Sequence, residues 1–179
     1  MAQAKKKKIF FDVKIPLAEK ETHLQAYEAK ELDGRIVNYD LTRTLRGKGM
    51  MLQLKIKVDG DEIKAIPKQI RLMPYFLKRM VRKGTNYVED SFSVKCEDAQ
   101  LRIKPFLVTR RKVSRAVRKA LRDAAKKEIT EFVKDKKSGL IFEEIIKNNL
   151  QKPMSLKLKK IYPLSLCEIR VLKVEEKSE

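Results

Sequence analysis

Apolar positions in the first hundred residues recur mostly every second residue, and those in the last seventy every third or fourth. That change of period predicts strands followed by helices. Ile9 to Ile15 reads as an opening strand ended by Pro16. In Gly34 to Thr42, Val37, Tyr39 and Leu41 share one face. Leu52, Leu54, Ile56 and Val58 then alternate with Gln53, Lys55 and Lys57 in the clearest half-buried strand of the chain. Asp59-Gly60 supplies a two-residue hairpin, since both residue types tolerate positive φ. The return strand carries Ile63, Ile66 and Ile70, with Pro67 marking an edge or a bulge. Pro74 opens a short helix, PYFLKRMVRK, stopped by Gly84.

A second hairpin places Phe92, Val94 and Cys96 on one strand, turns at Glu97-Asp98, and returns through Leu101 and Ile103. Ser114 is a good N-cap for a helix reaching about Lys134. Leu140 to Leu150 forms a second helix, followed by Pro153, and a third short helical stretch leads to Tyr162-Pro163. Leu166 to Val174 reads as the closing strand. Residues 17 to 33 carry five carboxylates against two lysines, which predicts a loop or short helix. The expected architecture is α+β: an antiparallel, barrel-like β core with two or three packed helices in the C-terminal half. We expect one domain over residues 9–174, with a basic arm at 1–8 and a charged tail at 175–179; no repeat or long linker divides the chain.

Charge sharpens this picture. The chain of 179 residues holds 43 Lys+Arg against 24 Asp+Glu, a formal net charge of +19, while 42% of its residues are hydrophobic. A basic disordered chain is thereby excluded, and a polyanionic partner is expected, nucleic acid before anionic membrane. No segment approaches the apolar length of a membrane-spanning helix. The excess is clustered. Residues 41–57 hold five cations and residues 64–83 seven, in both cases without an acid. Residues 102–127 hold eleven cations against Asp123 alone.

The candidate RNA-binding residues come from these clusters. Arg115, Arg118, Lys119, Arg122 and Lys126 fall on one helical face, and Arg110, Arg111 and Lys112 precede them. Val117, Leu121, Ala124 and Ile129 form the apolar face of the same helix. In the loop Thr42 to Gly49, Arg43, Arg46 and Lys48 are joined by two glycines that would let backbone amides approach phosphates. Arg79, Arg82 and Lys83 supply a third group. Arginine density is informative because the guanidinium fork matches phosphate oxygens.

Catalysis finds little support. His23 is the single histidine and lies in the acidic segment, so no Ser/His/Asp or Cys/His pair can be assembled without it. Cys96 and Cys167 lack metal-ligand spacing and read as reduced thiols in half-buried strands. Asp59, Asp61 and Glu62 could hold a divalent ion in a nuclease, but they occupy a predicted turn, where such residues are expected anyway. No cofactor and no metal site is predicted.

Several segments together resemble the S3Ae family of archaeal and eukaryotic small-subunit ribosomal proteins. The run RIKPFLVTRRKVSRAVRKALRDAAKKEI (102–129) resembles its middle signature. Ile161-Tyr162-Pro163-Leu164 followed by Glu168-Ile169-Arg170 resembles its closing one, and KIFFDVKIP (8–16) its opening strand. Phe10-Phe11 stands where the family usually has Trp-Tyr, and Arg43-Thr44 where it often has Gly-Asp. The likeness is to the shorter, archaeal-type form. It implies a non-catalytic, ribosome-bound cytoplasmic protein binding rRNA on the small-subunit platform, near the mRNA exit and the rRNA 3′ end. Its partners would be small-subunit rRNA and neighbouring platform proteins, with mRNA close by, and neither a membrane nor a small-molecule substrate. An RNA-binding module or chaperone acting off the ribosome is the alternative, and a metal-dependent nuclease a more distant one.

Overall fold

The computed structural model describes residues 7–15, 17, 20–60 and 62–175. Its strands are β1 (Ile9–Ile15), β2 (Lys20–Ala26), β3 (Ile36–Asp40), β4 (Met50–Asp59), β5 (Glu62–Leu72), β6 (Tyr87–Glu89), β7 (Phe92–Lys95), β8 (Gln100–Thr109) and β9 (Leu164–Glu175). Helices α1 (Pro74–Met80), α2 (Arg115–Lys134), α3 (Ser138–Ile146) and α4 (Gln151–Leu158) complete the α+β architecture, with a 3-10 turn at Ala29–Leu32.

The strands form one mixed sheet with the central order β2-β1-β5-β9-β8-β6; β3 and β4 extend it beside β5, and β7 beside β8. Only β1 and β5 run parallel. The expected barrel-like core fits loosely: among the described residues the terminal strands β2 and β6 do not pair, so the sheet stays open. Bulges interrupt its ladders. Lys68 is the extra residue where β5 passes β4, beside Pro67 as the sequence predicts, and Arg170 is the extra residue where β9 passes β8.

Register explains the core. Tyr39, Leu52, Ile70, Leu172, Ile103 and Phe92 stand opposite one another across β3-β4-β5-β9-β8-β7. Leu52, Ile70, Leu172 and Ile103 are fully buried. Such alternation gives a sheet one apolar face, which must be covered. Leu121, Ala125, Ile129 and Val133 of α2 and Ile141, Phe142 and Ile145 of α3 bury themselves in the same core. The Lys68 bulge also corrects one predicted core position: it shifts the parity of β5, so Ala65 and Ile70 point inward while Ile66 is exposed.

Other boundaries differ for local reasons. Lys20–Ala26, predicted as loop or helix, is a strand held to β1 over seven residue pairs. His23 accordingly sits on β2, where its Nδ1 bonds the carboxylate of Asp12 directly opposite. The short β6 was not foreseen. The α1 helix stops at Met80, before the turn at Gly84, whose φ of 85° favours glycine. The first six residues and residues 176–179, predicted as arm and tail, lie outside the described residues, as do Pro16 and Asp61; Lys7 and Lys8 are exposed, and Glu175 ends β9 rather than opening the tail.

Two further contacts lock the helical layer to the sheet. Asp98, in the β7–β8 turn, accepts from the Ser138 amide (2.9 Å) and hydroxyl (2.7 Å) at the start of α3. Helix amides in the first turn lack intrahelical partners, so this carboxylate serves as a cap supplied from the sheet. Deeper in, the Lys48 ammonium donates to Glu168 Oε2 (2.6 Å) on β9 and to Asn148 Oδ1 (2.8 Å) between α3 and α4. The two charged side chains are only 11% and 13% exposed.

Breaking a buried pair from one side strands the other charge. Lys48→Met should therefore lower stability by about 3 kcal/mol, a fall of roughly 6–12 °C in Tm for a domain of this size. Lys48→Met/Glu168→Leu should recover most of the loss, as calorimetry can check. The two cysteines are buried and unbridged. Burial pushes the Cys167 thiol up to about 12, and burial with a hydrogen bond to Asp98 raises Cys96 as well. Both stay protonated below their raised folded values. At pH 8 a thiol-reactive dye should thus label the folded protein slowly and both sites rapidly in guanidinium.

Candidate nucleic-acid interface

The Thr-Arg-Arg segment is shaped by what surrounds Thr109. This fully buried threonine donates its hydroxyl to the Arg111 carbonyl (2.7 Å) and accepts from the Asn86 amide (3.1 Å). Asn86 in turn accepts from the Val113 amide through Oδ1 (2.8 Å). The chain leaves β8 in a tight bend with its polar backbone satisfied, and Arg110, Arg111 and Lys112 stand exposed on the outside. Asn86 also ties this bend to the preceding turn, which carries Arg82 and Lys83, both exposed. Arg79, back on α1, lies over the Phe76 ring at 5.6 Å.

Ser114 then starts α2 as predicted. Its Oγ accepts from the Val117 amide at 3.4 Å, and the helix runs to Lys134. Arg115, Lys119, Arg122 and Lys126 are exposed, and no ion pair neutralises any of them among the described residues. The Lys126 ammonium lies 5.6 Å from the Phe92 ring centre, which places the C-terminal end of the ridge over β7. Acidic residues of α2 sit elsewhere: Glu128, on the flank facing α4, pairs with Lys157 and raises its pKa.

Two predicted contacts are corrected. Arg118 does not share the exposed ridge. It falls toward the buried side of α2, half-buried, and its Nε is shielded from solvent with no hydrogen-bond partner. The helix turns 100° per residue, so the i+3 step from Arg115 falls about 60° short of a full turn and leaves Arg118 outside the exposed arc. Lys48 is likewise spent on Glu168 and Asn148 and presents no charge to a phosphate. The loop amides expected to approach phosphates are used internally: Leu45 bonds the Leu41 carbonyl (2.9 Å), Gly47 that of Thr42 (2.9 Å) and Lys48 that of Leu45 (3.2 Å). Gly49 is needed for packing, because a Cβ there would meet the Tyr75 hydroxyl at 2.3 Å. Arg43 and Arg46 remain exposed at the tip of this loop. The loop is anchored to β9 and the α3–α4 junction rather than to α2. The site is therefore a main ridge with a separate two-arginine tip.

Of the carboxylates considered for a metal, Asp61 lies outside the described residues, and the other two face lysines. Lys57 approaches Asp59 at 3.8 Å and Lys64 pairs with Glu62 at 2.9 Å. No cluster of metal-ligating side chains exists among the described residues. No helix is long and apolar enough to cross a membrane. Charge counts along the chain noted Arg71, Arg102 and Lys104 but did not combine them, and passed over Arg170 and Lys173. Strand pairing brings all five together, a signal that becomes visible only once β5, β9 and β8 are known to be neighbours.

A "Small ribosomal subunit protein eS1" of Nanoarchaeum equitans is 28% identical over 184 residues, covering 97% of this chain and 92% of that protein. The protein of the same name from Pyrobaculum neutrophilum is 28% identical over 154 residues, covering 83% of this chain and 69% of its own length. That from Halorubrum lacusprofundi is 30% identical over 101 residues, 56% of this chain and 47% of its own. The model of the Ribosomal S3Ae family matches residues 2–178, and the chain belongs to that family.

Proposed function

We propose that this chain is a structural component of the small ribosomal subunit that binds rRNA through the Arg110–Lys126 unit. One observation carries the reading: in a member of a ribosomal-protein family, the exposed cations from Arg110 to Lys126 have no ion-pair partners among the described residues and stand on a helix and its entry bend. Membership in that family makes the chain a structural part rather than an enzyme. Unneutralised cations repel one another, and a phosphate backbone removes that repulsion by displacing condensed counterions. Contacts of this kind position a protein by the shape of folded RNA rather than by a base code. Arg43 and Arg46 would make a second, smaller contact, and Arg79, Arg82 and Lys83 would extend the main one.

The family resemblance of the opening, middle and closing segments supports a finer reading: a position on the platform, near the mRNA exit and the rRNA 3′ end, beside other platform proteins on cytoplasmic ribosomes. Native protein should sediment with small subunits through a moderate-salt wash. Recovery in the free fractions alone would favour a module acting off the ribosome. Replacing Arg115, Lys119 and Arg122 with Gln should flatten the log-log salt dependence of binding to small-subunit rRNA by about 2, at roughly 0.7–0.9 per lost phosphate contact. Arg118→Gln, at the half-buried position, should leave the slope nearly unchanged. Filter binding over a salt series reads both.

A further inference from the structure

The sheet carries a second row beside its apolar one. Asn38, Gln53, Gln69, Lys173, Arg102 and Ser93 stand in register across β3, β4, β5, β9, β8 and β7. All six side chains are exposed or half-buried, and none is acidic. One step along the strands, Arg71 and Lys104 flank Val171 in a parallel row, and the bulged Arg170 adds a cation between. Six strands span about 24 Å, and the two rows lie about 7 Å apart.

The surface above these rows is hollowed. A groove of about 760 Å³ lies over Arg71, Arg102, Lys104, Arg170 and Lys173, walled by Asp90-Ser91, where β6 gives way to β7. A smaller hollow of about 270 Å³ covers Asn38 and Gln53. Gln69 and Arg71 line both, so the two are continuous.

Such an arrangement is unfavourable without a ligand. Lys173 stands directly opposite Arg102, and like charges placed so are destabilising. Glu175 relieves Arg102 at 2.5 Å, and Glu89 relieves Arg170 at 2.9 Å. Arg71, Lys104 and Lys173 have no ion-pair partner among the described residues. We infer that this outer face is a binding groove for a single RNA strand, with phosphates on the cationic half and base edges or ribose hydroxyls on the amides of Asn38, Gln53 and Gln69. This rests on the RNA-binding reading above and adds to it a second site and a substrate class. A strand fits better than a duplex, because a narrow trough on a sheet admits one backbone and leaves unpaired bases free for the amides. It fits better than an acidic peptide, because β5, β9 and β8 beneath the cationic half have neighbours on both sides and offer no free edge for β-addition there, while the amide half has nothing for carboxylates alone to satisfy.

The test uses the full chain and a twelve-residue uridine oligoribonucleotide. Arg71→Gln/Lys104→Gln/Lys173→Gln should weaken its binding at least tenfold at 0.1 M salt and lower the salt slope by about 2. The ridge variant Arg115→Gln/Lys119→Gln/Arg122→Gln should lose less on this probe. Independently of any variant's folding, the uridine strand should protect Lys104 and Lys173 of the native chain from acetylation, and a twelve-pair RNA duplex should protect them less. Unchanged affinity in the groove variant would overturn the groove while leaving the ridge and the ribosomal reading intact. Protection by polyglutamate and not by the oligonucleotide would also overturn it, in favour of a protein partner. If the wild-type chain binds neither strand, duplex nor small-subunit rRNA, the functional reading itself falls.

Discussion

The antiparallel ladder between β8 and β9 is the constraint from which the rest of this fold follows. It joins Gln100–Thr109 to Leu164–Glu175 across an intervening stretch that contains α2, α3 and α4. The same β9 pairs on its other side with β5, so the last strand of the chain links the hairpins of the first half to those of the second. Closing so long a loop costs conformational entropy before any contact compensates it. Burial of Leu172 against Ile70 and Ile103, and of the helices against the face they create, supplies the compensation. Because the side-chain period of a strand is two, that single register fixes which residues face the core and which face water.

Strand register also reconciles a net charge of +19 with a compact fold. The cations are not diluted by acids along the sequence, yet almost every fully buried position is apolar. Thr109 and Gln151 are the buried polar exceptions, and the half-buried Lys48–Glu168 pair is matched and hydrogen-bonded, as a largely desolvated charge must be. The other cations are displaced to the surface, and two of their clusters lie on the exposed arc of α2 and on the outer face of the sheet. Phe92 faces α2 beneath Lys126, while its neighbour Ser93 bonds Glu175 on the outer side. The ridge and the sheet-borne cations therefore lie on opposite sides of β7.

Much of this was legible in the sequence, and the parts that were not share a cause. Strands whose inward residues are apolar, such as Leu52-Leu54-Ile56, read clearly because burial writes a period of two into the chain. β2 did not, since only Leu24 and Ala26 mark its inward side amid acids, and its strand character is set by pairing with β1. Ser114 announced α2 because capping is a local interaction. The fates of Arg118 and Lys48 depended on nonlocal facts: how the helix is rotated against the core, and which carboxylate β9 brings within 2.6 Å. How far the sheet curls is nonlocal in the same way, as closure depends on whether β2 meets β6.

Charge counting along a chain finds cationic helices, because neighbours in sequence are neighbours on a helix. It fails on a sheet, where Arg71, Lys104 and Lys173, 33 to 102 positions apart in the chain, come together only through strand pairing. A polyanion responds to the folded distribution and not to the sequence order. Glu89 and Asp90, at the break from β6 to β7, line the outer groove, and Glu89 is paired with Arg170 at 2.9 Å. The ridge and the groove lie on opposite faces of β7, so a polyanion meets them as two sites rather than as one continuous belt.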